Sequence, residues 1–337
     1  MKAVGYLSSL PLDAQGALVD IELPRPVPSG RDLLVKISAI SVNPVDCKVR
    51  KRAQGENGNY KVLGWDAVGE VVEVGDEAQL FKVGDVVYYA GDITRQGCNS
   101  EYHLVDERIV GLKPNSLSNA EAAAIPLTAI TAWELLFERL QLAEGDLSAK
   151  DTLLITGAAG GVGSLLIQLA KHLTQATIIA TASRPQSQAW VKSLGADYVV
   201  DHAKALAPQL EAFGLTNVTH VASLNATDSY FEQFVALLAP FGKLALIDDP
   251  SAIPINSLKQ KSISLHWELM FTRSMFKTDD MISQHHLLNK VSALIDSGAI
   301  KTTMGKNLGA INAKNLIAAQ RELEEGKAIG KIVLEGF

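Results

Sequence analysis

Apolar positions follow two rhythms along this chain. Up to about residue 125 they come in short runs rich in Val and Ile, namely DLLVKISAIS, GEVVEVG, DVVYYAG and EYHLVD, each bounded by Gly, Pro, Asp or Ser. Such runs predict strands divided by turns, in a compact, largely antiparallel and partly barrel-like domain. Near residue 119 an Ala-rich helical stretch begins. After Pro126 the segment LTAITAWELLFERL sets Trp133, Leu136, Phe137 and Leu140 at helical spacing, which predicts a core-facing stripe.

From Asp151 the cadence becomes strand, helix, strand: TLLIT, ATIIATA, ADYVVD, THVASL and GKLALID, with a sixth strand expected at SISLHW. Short apolar runs separated by helix-length segments are what strands buried on both faces of a parallel sheet look like. The expected fold class is therefore α/β, with a doubly wound parallel sheet following a β-rich domain. Beyond residue 268 come two helices, MISQHHLLNKVSALIDSG and NAKNLIAAQRELEEG, and a closing strand, GKIVLEG. Since the parallel sheet is complete by then, these segments are expected to return to the first domain. The predicted division is 1–125 with 269–337, and 126–268 between them.

A chain of 337 residues exceeds what one hydrophobic core usually serves, which agrees with two domains. With 47% apolar and 20% charged residues it should fold throughout. The net charge of −6 is spread along the chain, and KVRKR at 48–52 is the one basic cluster. That cluster suits an anionic small molecule better than a polymer, which needs a longer positive stripe, so no nucleic-acid partner is expected. Cys47 and Cys98 form no scaffold or CxxC pair, pointing to a reducing compartment, the cytoplasm. The N-terminal apolar stretch is too broken for a signal segment, and no run of about 18 apolar residues suggests a membrane span.

The stretch most telling about chemistry is TLLITGAAGGVGSLLIQLAKHL. A strand runs into Gly157, Gly160, Gly161, Val162 and Gly163, and an amphipathic helix follows at once. Glycines there let the backbone approach a pyrophosphate, which the amides and positive end of the helix then meet. The spacing is a variant of the dinucleotide fingerprint in the context that fingerprint requires. NAD enzymes place an acidic residue at the end of the second strand for the ribose 2′-hydroxyl; between Ser164 and Ala196 this chain has none. Ser183 and Arg184 stand there instead, and an arginine pairs with a 2′-phosphate, so the expected cofactor is NADPH. Leu246, Ile247 and Asp248 end a later strand at the carboxyl edge of the sheet, where ligands of doubly wound domains bind.

The order of these features resembles the medium-chain dehydrogenase/reductase superfamily over essentially the whole chain. SVNPVDCKVR, LGWDAVGEVVEVG, FKVGDVVYYAGD, IPLTAITAWELL and GKIVLEG look like its quinone oxidoreductase branch, particularly the subgroup labelled zinc-type alcohol dehydrogenase-like. The resemblance implies a GroES-like catalytic domain joined to a Rossmann domain, and a homodimer. It also places Asn43 and Asp46 in the loop facing the nicotinamide, Thr128 against its carboxamide, and Lys48, where relatives often have Tyr, as a possible anchor or proton source for an oxyanion. Asp46 and Asp66 have a second reading as buried carboxylates that fix a loop by accepting backbone amides.

Zinc-dependent relatives carry Cys where this chain has Asn43, and His–Glu where it has Trp65–Asp66. They also have a four-cysteine lobe where Cys98 stands alone. Zinc is therefore not expected. Hydride transfer to an acceptor already activated by conjugation, a quinone or enone, is the chemistry the resemblance then implies. A zinc-dependent alcohol dehydrogenase and a non-catalytic NADPH-binding redox sensor are the alternatives. Relatives often have Lys where this chain has Ser187, so phosphate recognition would rest on Arg184 and Ser183. Arg273, in FTRSMF, could line the cleft or a dimer interface.

Overall fold

The computed structural model describes residues 1–145 and 150–337. The chain divides into two compact units, one of Met1–Ile130 with Phe271–Phe337 and one of Thr131–Met270.

In chain order the first unit contributes strands β1 (Lys2–Tyr6), β2 (Val19–Glu22) and β3 (Asp32–Val42), helix α1 (Pro44–Arg52), and strands β4 (Lys61–Val62), β5 (Ala67–Val74), β6 (Val86–Tyr89), β7 (Tyr102–Asp106) and β8 (Val110–Leu112). Helices α2 (Asn119–Ala123) and α3 (Pro126–Trp133) follow. The second unit holds β9 (Thr152–Ile155), α4 (Gly161–Leu173), β10 (Thr177–Thr181), α5 (Pro185–Ser193), β11 (Tyr198–Val200), α6 (Leu206–Glu211), β12 (Val218–Ser223), α7 (Thr227–Leu237), β13 (Leu238–Leu246) and β14 (Ser264–Trp267). The returning segment adds α8 (Thr272–Phe276), α9 (Ser283–Asp296), β15 (Met304–Asn307), α10 (Ala313–Glu324) and β16 (Lys331–Glu335) to the first unit.

The first unit is built around β3, which pairs antiparallel with β5, β7 and β16. Two register shifts between β3 and β5, at Leu34/Val35 and Ile37/Ala39, give the irregular, strongly twisted pairing expected of a barrel-like sheet. Leu33, Leu34, Val35 and Ile40 of β3 are fully buried with Val68, Val71, Val87 and Tyr88 of its neighbours. β16 closes the sheet by setting Ile332 opposite Val42, so the residue before it, Lys331, comes beside Asn43. The expected strands are present and pair largely antiparallel, β15 with β16 being parallel.

The second unit is a six-stranded, all-parallel sheet in the order β11-β10-β9-β12-β13-β14. Numbered from its own first strand, this is 3-2-1-4-5-6, the doubly wound dinucleotide-binding order, whose switch point falls between β9 and β12. Leu154, Ile179, Val221 and Leu244 of the sheet pack with Phe231 and Phe234 of α7 in its core. All six strands coincide with apolar runs.

The stripe expected after Pro126 needs correction. Leu136 and Leu140 are buried, but Trp133 and Phe137 are only half-buried and lie against each other, ring centroids 4.7 Å apart. Glu134 and Leu135 are buried in their place. From Glu134 to Arg139 the helix widens to a π turn, with the Leu140 N–H donating to the Leu135 carbonyl at 2.8 Å. The extra residue in that turn rotates the following side chains away from 3.6-residue spacing.

Candidate dinucleotide cradle and buried polar centre

The second unit presents the glycine turn as the sequence suggested. β9 ends at Ile155, and Gly157 takes a left-handed conformation (φ +61°) in which an added Cβ would stand 2.9 Å from Asn225 Oδ1. Gly160 caps the N-terminus of α4. Gly163 lies against the preceding turn so closely that a Cβ would meet Ala158 Cα and its carbonyl oxygen at 2.5 Å. Gly157, Gly160, Gly161 and Val162 remain partly exposed, so the first turn of this 13-residue helix keeps open amides at its positive end.

The other cofactor candidates lie along the carboxyl edge of the same sheet. Ser183 and Arg184 follow β10; Arg184 is exposed and occupies the N-cap of α5. Ser187, where relatives often have Lys, is buried with its hydroxyl donating to the Arg184 carbonyl at 2.9 Å. Leu246 ends β13, and the Ile247 N–H bonds to the Ser223 carbonyl at the end of β12. Asp248 is spent on structure: one carboxylate oxygen accepts the Thr227 N–H at 2.8 Å and the other its hydroxyl, fixing the start of α7. The chemistry of these residues is compatible with a dinucleotide: partly exposed glycines at a helix N-terminus and an exposed guanidinium after the second strand of the sheet.

In the first unit, four buried polar residues from distant parts of the chain meet. Asn43 precedes α1, Asp46 is in its first turn, Asp66 precedes β5, and Lys331 opens β16; none is more than 4% exposed. The Asn43 amide donates to Asp66 Oδ2 at 2.8 Å and to the Trp65 carbonyl at 3.2 Å. Lys331 Nζ donates to Asp66 Oδ2 at 3.0 Å, to the Val42 carbonyl at 3.1 Å and to Asn43 Oδ1. Asp66 Oδ1 accepts the N–H of Leu127, the second residue of α3, at 2.7 Å, meeting one of that helix's unsatisfied N-terminal donors. Burial pushes the Asp66 carboxyl up, opposed by the Lys331 ammonium and by these hydrogen bonds.

Asp46 accepts the Asn43 N–H at 2.8 Å. Burial raises its carboxyl to about 7 against that bond and the Lys331 charge. Asn43 and Asp46, expected in the loop facing the nicotinamide, are each 1% exposed, with Asn43 bonded to Asp66 and Lys331 and Asp46 to the Asn43 N–H. Loop-fixing, the second reading of Asp46 and Asp66, describes their observed bonds. Lys48 is half-buried on α1. Thr128 is buried, its hydroxyl turned back to the Ile125 carbonyl at 3.0 Å. Arg273 pairs with Asp280 at 2.8 Å within the first unit.

The donor set around Asn43 does not match a tetrahedral zinc. It offers an amide and two carboxylates already engaged by an ammonium and by N–H groups, and the Trp65 indole N–H donates to the Asp92 carbonyl. Lys331 was missed in the sequence. Its one signal is a charge opening an otherwise apolar closing strand, KIVLE.

A doubly wound sheet with a glycine turn, joined in one chain to a β-rich unit, is the two-domain architecture of the medium-chain dehydrogenase/reductase class. Residues 29–124 match the alcohol dehydrogenase GroES-like domain and 161–284 the zinc-binding dehydrogenase family. A zinc-type alcohol dehydrogenase-like protein of Staphylococcus epidermidis is 37% identical over 99% of both chains. A Rhizobium etli protein described as a candidate zinc-dependent alcohol dehydrogenase is 51% identical, with TM-score 0.96 over 100% of this chain and 98% of that one. The Pseudomonas syringae quinone oxidoreductase shares the fold at TM-score 0.83 and 26% identity, each chain 99% covered. An Arabidopsis thaliana NADPH-dependent alkenal/one oxidoreductase is 37% identical over 51% of this chain and 45% of its own. The chain belongs to the medium-chain dehydrogenase/reductase superfamily and is an oxidoreductase.

Proposed function

We propose that this protein is a zinc-independent reductase that uses NADPH to reduce a conjugated carbonyl compound, an enone or quinone. The observation that carries the reading is the buried Asn43–Asp66–Lys331 cluster. Where zinc-dependent relatives have Cys and His–Glu, this chain sets an amide, an indole and a carboxylate, and answers the carboxylate with its own ammonium. A substrate that needs no Lewis acid suits such a centre. The names of the quinone oxidoreductase and alkenal/one oxidoreductase relatives support it.

Bound NADPH supplies the hydride. The turn from Gly157 to Gly163 and the first turn of α4 would hold the pyrophosphate, Arg184 and Ser183 would take the 2′-phosphate, and Leu246 and Ile247 would lie beside the nicotinamide. Thr128 meets the carboxamide by turning its hydroxyl from the Ile125 carbonyl. Asn43 and Asp46 act through the loop they fix, which leaves Lys48 to steady the negative charge developing on the acceptor oxygen. On the same reading the protein works as a cytoplasmic homodimer without nucleic-acid or membrane partners.

The test is NADPH and NADH oxidation by purified protein across a panel of enones and quinones, with and without chelator. NADPH-linked turnover that survives chelation is expected. Chelator-sensitive oxidation of alcohols would move the protein to the zinc-dependent dehydrogenases; tight NADPH binding with no turnover would make it a sensor.

A further inference from the structure

Pro126 has no amide hydrogen, and the helical path breaks between α2, which ends at Ala123, and α3, which begins at Pro126. A break inside the core needs partners for the backbone groups it frees. Two of them are answered with help from the returning segment of the chain. The Thr303 hydroxyl, 0% exposed just before β15, donates to the Ala124 carbonyl at 3.0 Å. The Lys331 N–H donates to the Thr303 carbonyl at 2.8 Å and the Lys331 ammonium to Asp66, whose other carboxylate oxygen accepts the Leu127 N–H at 2.7 Å. Hydrogen bonds thus run from Ala124 through Thr303, Lys331 and Asp66 to Leu127, a circuit that the chain itself closes, and all of these residues are buried.

Next to this circuit stands Thr128. Its hydroxyl has two carbonyls in reach, that of Ile125 at 3.0 Å and that of Ala124 at 3.4 Å. The Ile125 carbonyl also accepts the Ala129 N–H at 2.8 Å, and the Ala124 carbonyl is held by Thr303 at the shorter distance. Thr303 therefore limits how firmly the Thr128 hydroxyl is drawn back into its own helix. We propose that Thr303 is a positioning residue, which with Lys331 clamps the break between α2 and α3 and keeps the Thr128 hydroxyl available to the cofactor. The last clause rests on the function proposed above, in which Thr128 meets the nicotinamide carboxamide. With an apolar residue at 303 the Ala124 carbonyl loses its donor, and the Thr128 hydroxyl, already 3.4 Å away, is at hand to replace it. A buried carbonyl without a donor is costly, so the hydroxyl turns to it and away from a ligand.

The test compares NADPH with 2′,5′-ADP, which carries the adenosine half and its 2′-phosphate but no nicotinamide. In titration calorimetry on the full chain, Thr303→Val should weaken NADPH about tenfold and leave 2′,5′-ADP unchanged, and Thr303→Ser, which restores the donor, should return NADPH to the wild-type affinity. Hydrogen–deuterium exchange without ligand gives a second readout. Segment 119–130 should exchange about tenfold faster in Thr303→Val than in the wild type or Thr303→Ser, while 218–223 in the second unit does not change. Equal weakening of both ligands, or unchanged NADPH binding, overturns the role of Thr303 toward Thr128; unchanged exchange of 119–130 overturns the clamp. If Thr303→Val does not fold, Thr303→Ala takes its place with the same outcomes. Failure of the wild type to bind NADPH would count against the function proposed above, and the exchange comparison would still decide the clamp.

Discussion

Lys331 Nζ stands 3.0 Å from Asp66 Oδ2, although the two residues are 265 positions apart, and both are buried. A charge enclosed this way depends on its partner, because the cost of removing it from water is offset only by the pairing and the surrounding hydrogen bonds. Lys331→Met should therefore destabilise the protein by about 3–5 kcal/mol in urea unfolding. Asp66→Asn should cost less than that, and the double variant less than the sum of the two singles. Strict additivity would mean that the two groups are not coupled.

Asp46 carries a pH dependence. Its carboxyl is raised from an ordinary 3.8 to about 7 by burial, so the folded protein keeps this proton over a range in which the unfolded chain has released it. Its contribution to stability is complete below about pH 4 and is lost as pH rises toward 7. Asp46→Asn can still accept the Asn43 N–H through its amide oxygen. It should flatten the stability profile between those values and be more stable than the wild type above pH 7. A midpoint that stays parallel to the wild type across the range would sink this account.

On the proposed reading, cofactor choice turns on Arg184. Arg184→Ala should weaken NADPH by about 1–3 kcal/mol, the usual worth of a charge-assisted hydrogen bond, and leave NADH nearly unchanged. Fluorescence titration with both cofactors measures it. Equal losses for the two would remove the assignment of this arginine to the 2′-phosphate.

The close approach at Gly163 predicts a steric result. In Gly163→Ala the new methyl would meet Ala158 backbone atoms 2.5 Å away, and neither the turn nor the helix is a flexible side chain that can give. A loss of about 1–3 kcal/mol in thermal or urea unfolding is expected, with NADPH binding reduced because the turn must shift. Unchanged cofactor affinity would show that the turn does not cradle the pyrophosphate.

Features that depend on neighbours in the chain were legible before any coordinates. The runs from TLLIT to SISLHW became six parallel strands because a strand buried on both faces writes itself as an unbroken apolar run. The glycines at 157, 160, 161 and 163 announced their turn because only a residue without Cβ fits where Gly157 has positive φ and Gly163 touches Ala158. Even the missing acid after the second strand could be read, since its place is set by a count of residues from the turn. The stripe through Trp133 and Phe137 misled because one π turn shifts a helical phase without changing the composition that reports it.

Residue order could name Asn43, Asp46 and Asp66 but not what faces them. That depended on Ile332 lying opposite Val42, a register set by packing across the whole sheet, which carries the Lys331 ammonium to the Asp66 carboxylate. Local pattern is encoded within a few residues by sterics and hydrophobic period. The company a buried charge keeps is settled only when distant segments compete for the same interior space, and there the fold alone decides.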